Sequence, residues 1–455
     1  MDITELYNVF LECGKVTTDS RTVSGGELFF ALKGDNFDGN EYAMRALEAG
    51  AAFAVVDVAS AVASEKDFLD AGGRSRIIPV DDTLKTLQEL ARWHRLNTYV
   101  NGRPVPVVGL TGTNGKTTTK ELIRSVLAAK YHVTATEGNY NNSIGVPLTL
   151  LKITEDTQIA VVEMGANHPD DIMELVAVCL PDCGLITCVG KGHLLGFGDL
   201  EGVKRAKGAL YDYLESTGGP AFLNIDDKEL VGMAEDRADM KVIPYGAKVM
   251  GAKVLQSSSD KPFLRMLIHD GEEALGIDTH LVGSYNEDNV LAAIAVGEYF
   301  GVPLKDAVRA INSYVPSNNR SQMLRTERNT LIVDAYNANP MSMSAALDSF
   351  DAVQSPVKVL CLGNMGELGK ESVSEHKKVL ERLGHEPFDR IILVGEQFRL
   401  AMDEMKSGGK LAISPEWFAT SEEAAASLNR VPVDGAAVLI KGSRSTRMEL
   451  VIPAL

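Results

Sequence analysis

Apolar residues along this chain fall into two alternating arrangements: short unbroken runs, and stretches in which they recur every three or four positions. Unbroken runs suit strands buried on both faces, and the wider spacing suits helices with one apolar stripe. Near the start the pattern predicts a strand at LFFAL (28–32), a helix then a strand in AMRALEAGAAFAVVD (43–57), a strand at IIPV (77–80) and a helix over 83–96. The glycine and two prolines of NGRPVP (101–106) interrupt it. The middle stretch predicts strands at 105–111, 132–136, 158–164, 183–190 and 220–225 with helices between them, antiparallel strands within 250–283, and two closing helices, NEDNVLAAIAVGEYFG and PLKDAVRAINSY. After a second interruption, VPSNNRSQM (315–323), strands at 330–336, 357–364, 389–396 and 436–443 again alternate with helices. Such alternation predicts an α/β fold of mainly parallel sheets wrapped by helices.

The 455 residues correspond to roughly three domains at about 150 residues each. The two interruptions divide them as 1–103, 104–314 and 315–455. With 45% hydrophobic and 24% charged residues the balance is globular, which excludes disordered and fibrous classes. A net charge of −17 argues against coating nucleic acid or adhering to an anionic membrane. It leaves anionic small substrates open, since these need only backbone amides and a few local cations. The start, MDITELYNVF, is acidic where a secretory signal is basic, and no apolar stretch is long enough to span a bilayer. The chain is therefore read as soluble, cytoplasmic and without an integral membrane segment, and is expected to act as a monomer. Five cysteines, an odd number, do not suggest a disulfide framework. Cys179, Cys183 and Cys188 lie in an apolar stretch with no paired metal-binding spacing, so they read as small buried hydrophobes.

The strongest chemical signal is VVGLTGTNGKTTTKELIRSVL, an apolar strand, a glycine-rich turn and a helix. In that order the residues make a phosphate cradle. Amides around Gly112, Thr113, Asn114, Gly115, Lys116, Thr117 and Thr118 face the loop, Lys116 neutralises terminal phosphates and the Thr117 hydroxyl can hold Mg²⁺. The strict phosphate-loop spacing would place glycine where Leu110 stands, and the bland reading is a turn whose Thr118 and Glu121 cap a helix. Glu163 ends the strand IAVVE, where a carboxylate would share the crevice, whereas His193 in KGHLLGFG is ambiguous and reads more readily as a structural histidine than as a ligand. Lys207, with Lys204 and Arg205, reads as a solvated basic face, although Gly208 inside that helix hints at a close approach. The asparagines of GNYNNSIGVPLTL (138–150), including Asn139 and Asn142, suit either turns or a grip on a polar or phosphorylated substrate. Asp334 stands at a strand's carboxyl end before the NANP turn, and Lys441 and Arg444 follow another strand and are available for an anion.

TGTNGKTTT, GNYNNSIGVPLTLL, VVEMGANHPDDI, the AKGAL helix, DAYNANPMSM and KGSR stand in the same order as in the Mur ligases, and essentially the whole chain resembles that family. NANP followed by SM resembles the branch that joins D-alanyl-D-alanine to UDP-N-acetylmuramoyl-tripeptide; the DNPR tetrapeptide of the diaminopimelate-adding branch is absent. The resemblance implies an N-terminal domain for the UDP portion, a central ATP-binding domain of phosphate-loop type and a Rossmann-like C-terminal domain that closes the site. Its implied cofactors are ATP and Mg²⁺, and its partners are the UDP-linked tripeptide and D-Ala-D-Ala, with no nucleic acid. By resemblance Lys116 and Thr117 bind phosphates and Mg²⁺, Glu163 and His193 are metal ligands, Asn289 contacts adenine, and Arg320 and Asp334 contact nucleotide. Lys207 matches a lysine that family members carbamylate, which makes it a carboxylate able to hold a second Mg²⁺. Ser20 and Arg21, with Asn139 and Asn142, match the UDP-substrate site, and Tyr336, Asn337 and Asn339 the D-Ala-D-Ala region. Two positions depart from the family: Asn364 replaces the aspartate of LGDMxELG, and Asn40 replaces a frequent histidine.

The implied reaction transfers the γ-phosphoryl group of ATP to the tripeptide carboxylate, and the D-Ala-D-Ala amine then displaces phosphate from the acyl phosphate. Two other functions remain open on the sequence: another Mur-type ligase adding a single amino acid, and a nucleotide-binding switch or scaffold that does not ligate.

Overall fold

The computed structural model describes residues 1–34, 36–64, 68–255, 263–316 and 320–455. Its first sheet is wholly parallel, ordered Val16–Thr17, Leu28–Phe30, Phe53–Asp57 and Ile77–Val80. The central sheet is also parallel and has six strands among the described residues, ordered Val133–Ala135, Ile159–Glu163, Val107–Thr111, Cys183–Ile186, Ala221–Asn224 and Val242–Tyr245. The strand feeding the glycine-rich turn, Val107–Thr111, thus lies mid-sheet and is fully buried. Its neighbour Ile159–Glu163 is equally buried and sets Glu163 beside Leu110. Three antiparallel strands, Lys253–Leu255, Phe263–Asp270 and Glu273–Val282, follow, as predicted for 250–283.

The third sheet runs Gln322–Arg325, Thr330–Asp334, Ala436–Lys441, Val357–Gly363, Arg390–Val394 and Glu416–Phe418, with only the first strand antiparallel. Its register sets Asp334 beside Lys441. Val242–Tyr245, Gln322–Arg325 and Glu416–Phe418 escape the sequence pattern for one reason. They are edge strands, only partly buried: Gln322–Arg325 and Glu416–Phe418 mix polar with apolar residues, and Val242–Tyr245 carries Pro244, tolerated there because an edge leaves its missing N–H unneeded.

The helix Thr83–Asn97, capped by Asp82 accepting from the Lys85 N–H at 2.9 Å, joins the first stretch to the second. Leu87, Leu90 and Ala91 belong to one core with Val107, Leu150 and Ile172, so apolar packing runs unbroken past the NGRPVP interruption. His94 sits in that seam, its Nε2 2.7 Å from the Ile153 carbonyl oxygen and its Nδ1 3.2 Å from the Tyr7 hydroxyl. Arg95 donates to Asp182 Oδ2 at 2.6 Å, and that oxygen accepts the Val107 N–H at 2.7 Å, which ties the helix to the start of the central strand. The third sheet has separate cores on its two faces. Cys179, Cys183 and Cys361 are buried apolar residues, and burial pushes the Cys179 and Cys361 thiols up to about 12.

Candidate active site

The turn after Val107–Thr111 leads into the helix Lys116–Ala128, whose N-cap is Gly115 with φ 81° and no capping side chain. The Thr118/Glu121 capping box is thereby excluded: Thr118 lies within the helix and Glu121 pairs with Lys120 and Arg124. Glycine is required at 112, where φ is 153° and a Cβ would collide with the Thr187 hydroxyl, and at 115, where it would meet Asn289 Oδ1. The loop is strapped to the neighbouring strand: Thr113 N–H donates to the Cys188 carbonyl at 2.9 Å, and Thr187 Oγ1 donates to the Asn114 carbonyl at 2.6 Å. Lys116 Nζ folds back on the Gly112 carbonyl at 2.7 Å, and burial lowers its pKa against the attraction of Glu163.

Below the loop, Thr117 Oγ1 donates to Glu163, 2.9 Å from Oε2 and 3.2 Å from Oε1. Asn141 Nδ2 donates to Glu163 Oε1 at 2.8 Å, and the Glu163 N–H donates to Thr136 Oγ1 at 3.0 Å. The Thr136 carbonyl accepts from the fully buried Lys120 at 2.5 Å, so Thr117 and Asn141 hold the Glu163 carboxylate while Thr136 fixes its backbone. Asn289 is buried beneath Gly115, its amide engaged by Thr119 Oγ1 at 2.8 Å and Asn286 Oδ1 at 2.9 Å.

Lys207 is only 1% exposed, which corrects its reading as a solvated face. Lys204 and Arg205 lie outward instead, and Gly208 is explained by the Arg237 guanidinium, whose Nη2 lies 3.4 Å from its carbonyl. Lys207 Nζ lies 5.7 Å over the Phe197 ring with no anionic partner among the described residues, and burial pushes its pKa down to about 7, helped by Lys116. His193 packs edge-on against the same Phe197 ring, ring centres 6.4 Å apart. His193 and Lys207 thus share one aromatic side chain beside the phosphate loop.

The third sheet supplies the facing wall. Asn339 caps the helix Pro340–Asp351 through the Ser342 N–H and also reaches Asn114, Nδ2 to Oδ1, at 2.8 Å. Lys441, fully buried, donates to Asp334 at 2.5 Å and to the Asn337 carbonyl at 3.3 Å. The Arg320 guanidinium lies 3.7 Å over the Tyr336 ring, with Arg444 at 5.9 Å from it.

Family models match the chain in three pieces: "Mur ligase family, catalytic domain" at residues 13–95, "Mur ligase middle domain" at 110–297 and "Mur ligase, glutamate ligase domain" at 319–444. A Bacillus subtilis protein named UDP-N-acetylmuramoyl-tripeptide--D-alanyl-D-alanine ligase is 32% identical over 444 residues, covering 97% of this chain and 92% of its own. The chain belongs to the Mur ligase family. A Haemophilus influenzae protein of the same name is 32% identical over 97% of this Mur ligase and 93% of its own length. The crystal structure of MurF from Acinetobacter baumannii superposes with a TM-score of 0.82 at 28% identity, over 96% of this chain and 92% of that one.

Donor chemistry in this Mur ligase suits a hard divalent cation. Glu163 and the Thr117 hydroxyl offer adjacent oxygens, and Mg²⁺ takes few protein ligands and fills its shell with water and phosphate. Among the described residues no three His, Cys, Asp or Glu side chains gather into a preformed cage.

The expected UDP-substrate residues lie apart. Arg21 forms a two-pronged, exposed pair with Asp19 at 2.9 and 2.7 Å, holding that carboxyl down to about 2, and Ser20 shares the turn. Asn139 is exposed, and Asn142 caps the helix Gly145–Leu150 through the Gly145 N–H at 2.9 Å. Among the described residues no hydrogen bond joins these two pairs. Asn40 is buried and bridges Asp38 and Asp57, tying its turn to the end of the strand Phe53–Asp57. Asn364 Oδ1 accepts the Phe398 N–H at 3.3 Å, at the start of the helix Glu396–Ser407. Sequence reasoning missed Asn141, which differs from its neighbours only by pointing at Glu163. It also missed Glu367, three residues after Asn364 in LGNMGELG.

Proposed function

We propose that this Mur ligase joins D-alanyl-D-alanine to the tripeptide carboxylate of UDP-N-acetylmuramoyl-tripeptide, converting ATP to ADP and phosphate, in peptidoglycan precursor synthesis. The observation that carries the reading is the NANP turn seated on the phosphate loop through Asn339 and Asn114, in a chain resembling enzymes of that name over its full length. Residues 1–103 would take the UDP portion through Ser20 and Arg21, 104–314 the ATP, and 315–455 the incoming dipeptide beside Tyr336, Asn337 and Asn339.

Lys116, released from the Gly112 carbonyl, bears on the terminal phosphates together with the loop amides. One tripeptide carboxylate oxygen attacks the γ-phosphorus, ADP leaves, and the dipeptide amine attacks the resulting acyl phosphate. The tetrahedral intermediate loses a proton and expels phosphate, leaving an amide. Thr117, Glu163 and His193 would hold Mg²⁺, and a carbamylated Lys207 would hold a second ion, which would supply neutralisation of the charge developing on the transferred group. Lys207 suits carbamylation because a buried amine with a pKa pushed to about 7 has a substantial neutral fraction at neutral pH, able to attack CO₂ and release a proton. Arg320, Asp334 and Asn289 complete the nucleotide contacts.

ADP release measured with UDP-N-acetylmuramoyl-tripeptide, with and without D-Ala-D-Ala, tests the assignment. Turnover that depends on the dipeptide and is not supported by single amino acids is expected; turnover with a single amino acid alone would reassign the enzyme within the family.

A further inference from the structure

His193 and Glu367 meet across the boundary between the central sheet and the third: Nδ1 lies 2.5 Å from Glu367 Oε2. Nδ1 is sealed from solvent and makes no hydrogen bond among the described residues, and the Glu367 carboxylate is the group that stands within charge-pair distance of it. The contact is doubled by the backbone, the Leu195 N–H donating to the Glu367 carbonyl at 3.2 Å. Both residues are left-handed without being glycine, at φ 53° for His193 and 60° for Glu367. Such a conformation persists only where surroundings enforce it, and two facing each other mark a junction whose geometry is constrained from both sides. Docking alone does not require the pair, because Lys191 already binds Glu371 at 3.0 Å and Glu375 at 3.3 Å.

We propose that Glu367 is a positioning residue for His193: its carboxylate holds the proton on Nδ1, which leaves the Nε2 lone pair free for a divalent cation. A carboxylate behind a ligating imidazole fixes the tautomer and ring orientation and raises ligand basicity. Because Glu367 arrives with the third domain, the cation site is complete only when that domain is docked, and by linkage the cation favours docking to the same degree. The inference rests on the reading of His193 as a cation ligand.

Mn²⁺ binding to the full-length protein, followed by the electron paramagnetic resonance of the free ion at fixed ADP, tests it. Glu367→Ala is expected to weaken Mn²⁺ binding about 10-fold. Glu367→Gln, which keeps an acceptor oxygen, is expected to retain most of the affinity. Glu371→Ala, which removes one of the two Lys191 contacts without touching His193, is expected to stay within about twofold of the parent, since weakening a docking contact alone leaves the ligand in place. In a His193→Ala background, Glu367→Ala is expected to have no further effect. Unchanged Mn²⁺ affinity in Glu367→Ala, equal losses in Glu371→Ala, or additive losses in the double variant would overturn the proposal. Thermal melting of each variant identifies misfolding, and Glu367→Gln decides the matter if the alanine variant unfolds. A parent protein that binds Mn²⁺ in this pattern yet releases no ADP with the muramyl substrate would instead overturn the ligase reading.

Discussion

Asn114 in the phosphate loop and Asn339 at the start of a third-domain helix form a reciprocal amide pair. Asn339 Nδ2 donates to Asn114 Oδ1 at 2.8 Å, and Asn114 Nδ2 donates to Asn339 Oδ1 at 3.3 Å. The same Asn339 oxygen caps its own helix through the Ser342 N–H at 2.9 Å, so one side chain orders both the turn and the seam.

Replacing Asn339 by aspartate separates the two roles. Aspartate caps as well as asparagine, but it loses the donor to Asn114 and sets a negative charge beside a phosphate site. The expected result is an unchanged melting temperature with the KM for ATP raised about 10-fold, a penalty of about 1.4 kcal/mol. Asn339→Ala should additionally lose about 1 kcal/mol of stability with its cap. Steady-state kinetics and calorimetry on the two variants read these apart.

Lys116→Ala should reduce ADP production at least about 100-fold, the scale for removing one preorganised group that stabilises transition-state charge. Near-normal turnover in a coupled ADP assay would remove the phosphate-loop assignment.

Carbamylation of Lys207 requires the neutral amine, whose fraction falls as the pH drops through about 7. At fixed dissolved CO₂, activity should therefore decline below that pH and recover on raising CO₂. Lys207→Ala should be inactive and partly restored by short carboxylic acids. A rate indifferent to CO₂, together with an active alanine variant, would leave the buried amine without this role.

Burial holds His94 and His376 below the ordinary value of 6.5, each with one ring nitrogen 2.7 Å from a backbone carbonyl oxygen. Between the lowered folded values and 6.5 the unfolded chain takes up protons that the folded chain refuses. Stability is thus whole above that pH and falls as the pH drops below it, by up to about 1.4 kcal/mol per pH unit for each histidine. Urea titrations from pH 7 to 5 should show the decline, and a His94→Gln variant should show a shallower one.

Asn364 accepts the Phe398 N–H in the first turn of the helix Glu396–Ser407. Aspartate there would meet the positive end of the helix, so Asn364→Asp should stabilise by about 0.3–1 kcal/mol. A lower melting temperature would show that the neutral amide is required by its contacts with Gly395.

Much of the architecture was legible in the unbroken apolar runs, because strands buried on both faces admit few polar residues. LTGTNGKTTT was legible because glycine is needed where φ is positive and a Cβ would collide, a demand that leaves its mark on the residue itself. Edge strands such as Glu416–Phe418 were not legible, since half-exposed positions accept either polarity. Lys207 shows the same limit from the other side: beside Lys204 and Arg205 its charge suggests solvent, and only the packing of its helix beside Phe197 makes it a buried amine with a lowered pKa.

Local chemistry is written in the order of residues, so the sequence by itself determined the buried interior strands, the phosphate turn, the Glu163 strand end and, by resemblance, the family. The pairings Thr117 with Glu163, Asn141 with Glu163, Asn114 with Asn339 and His193 with Glu367 join positions 46, 22, 225 and 174 residues apart in the chain. Only the tertiary structure decided these, because which of several equivalent asparagines or glutamates faces a given partner depends on sheet order and domain docking, and neither leaves a local signature.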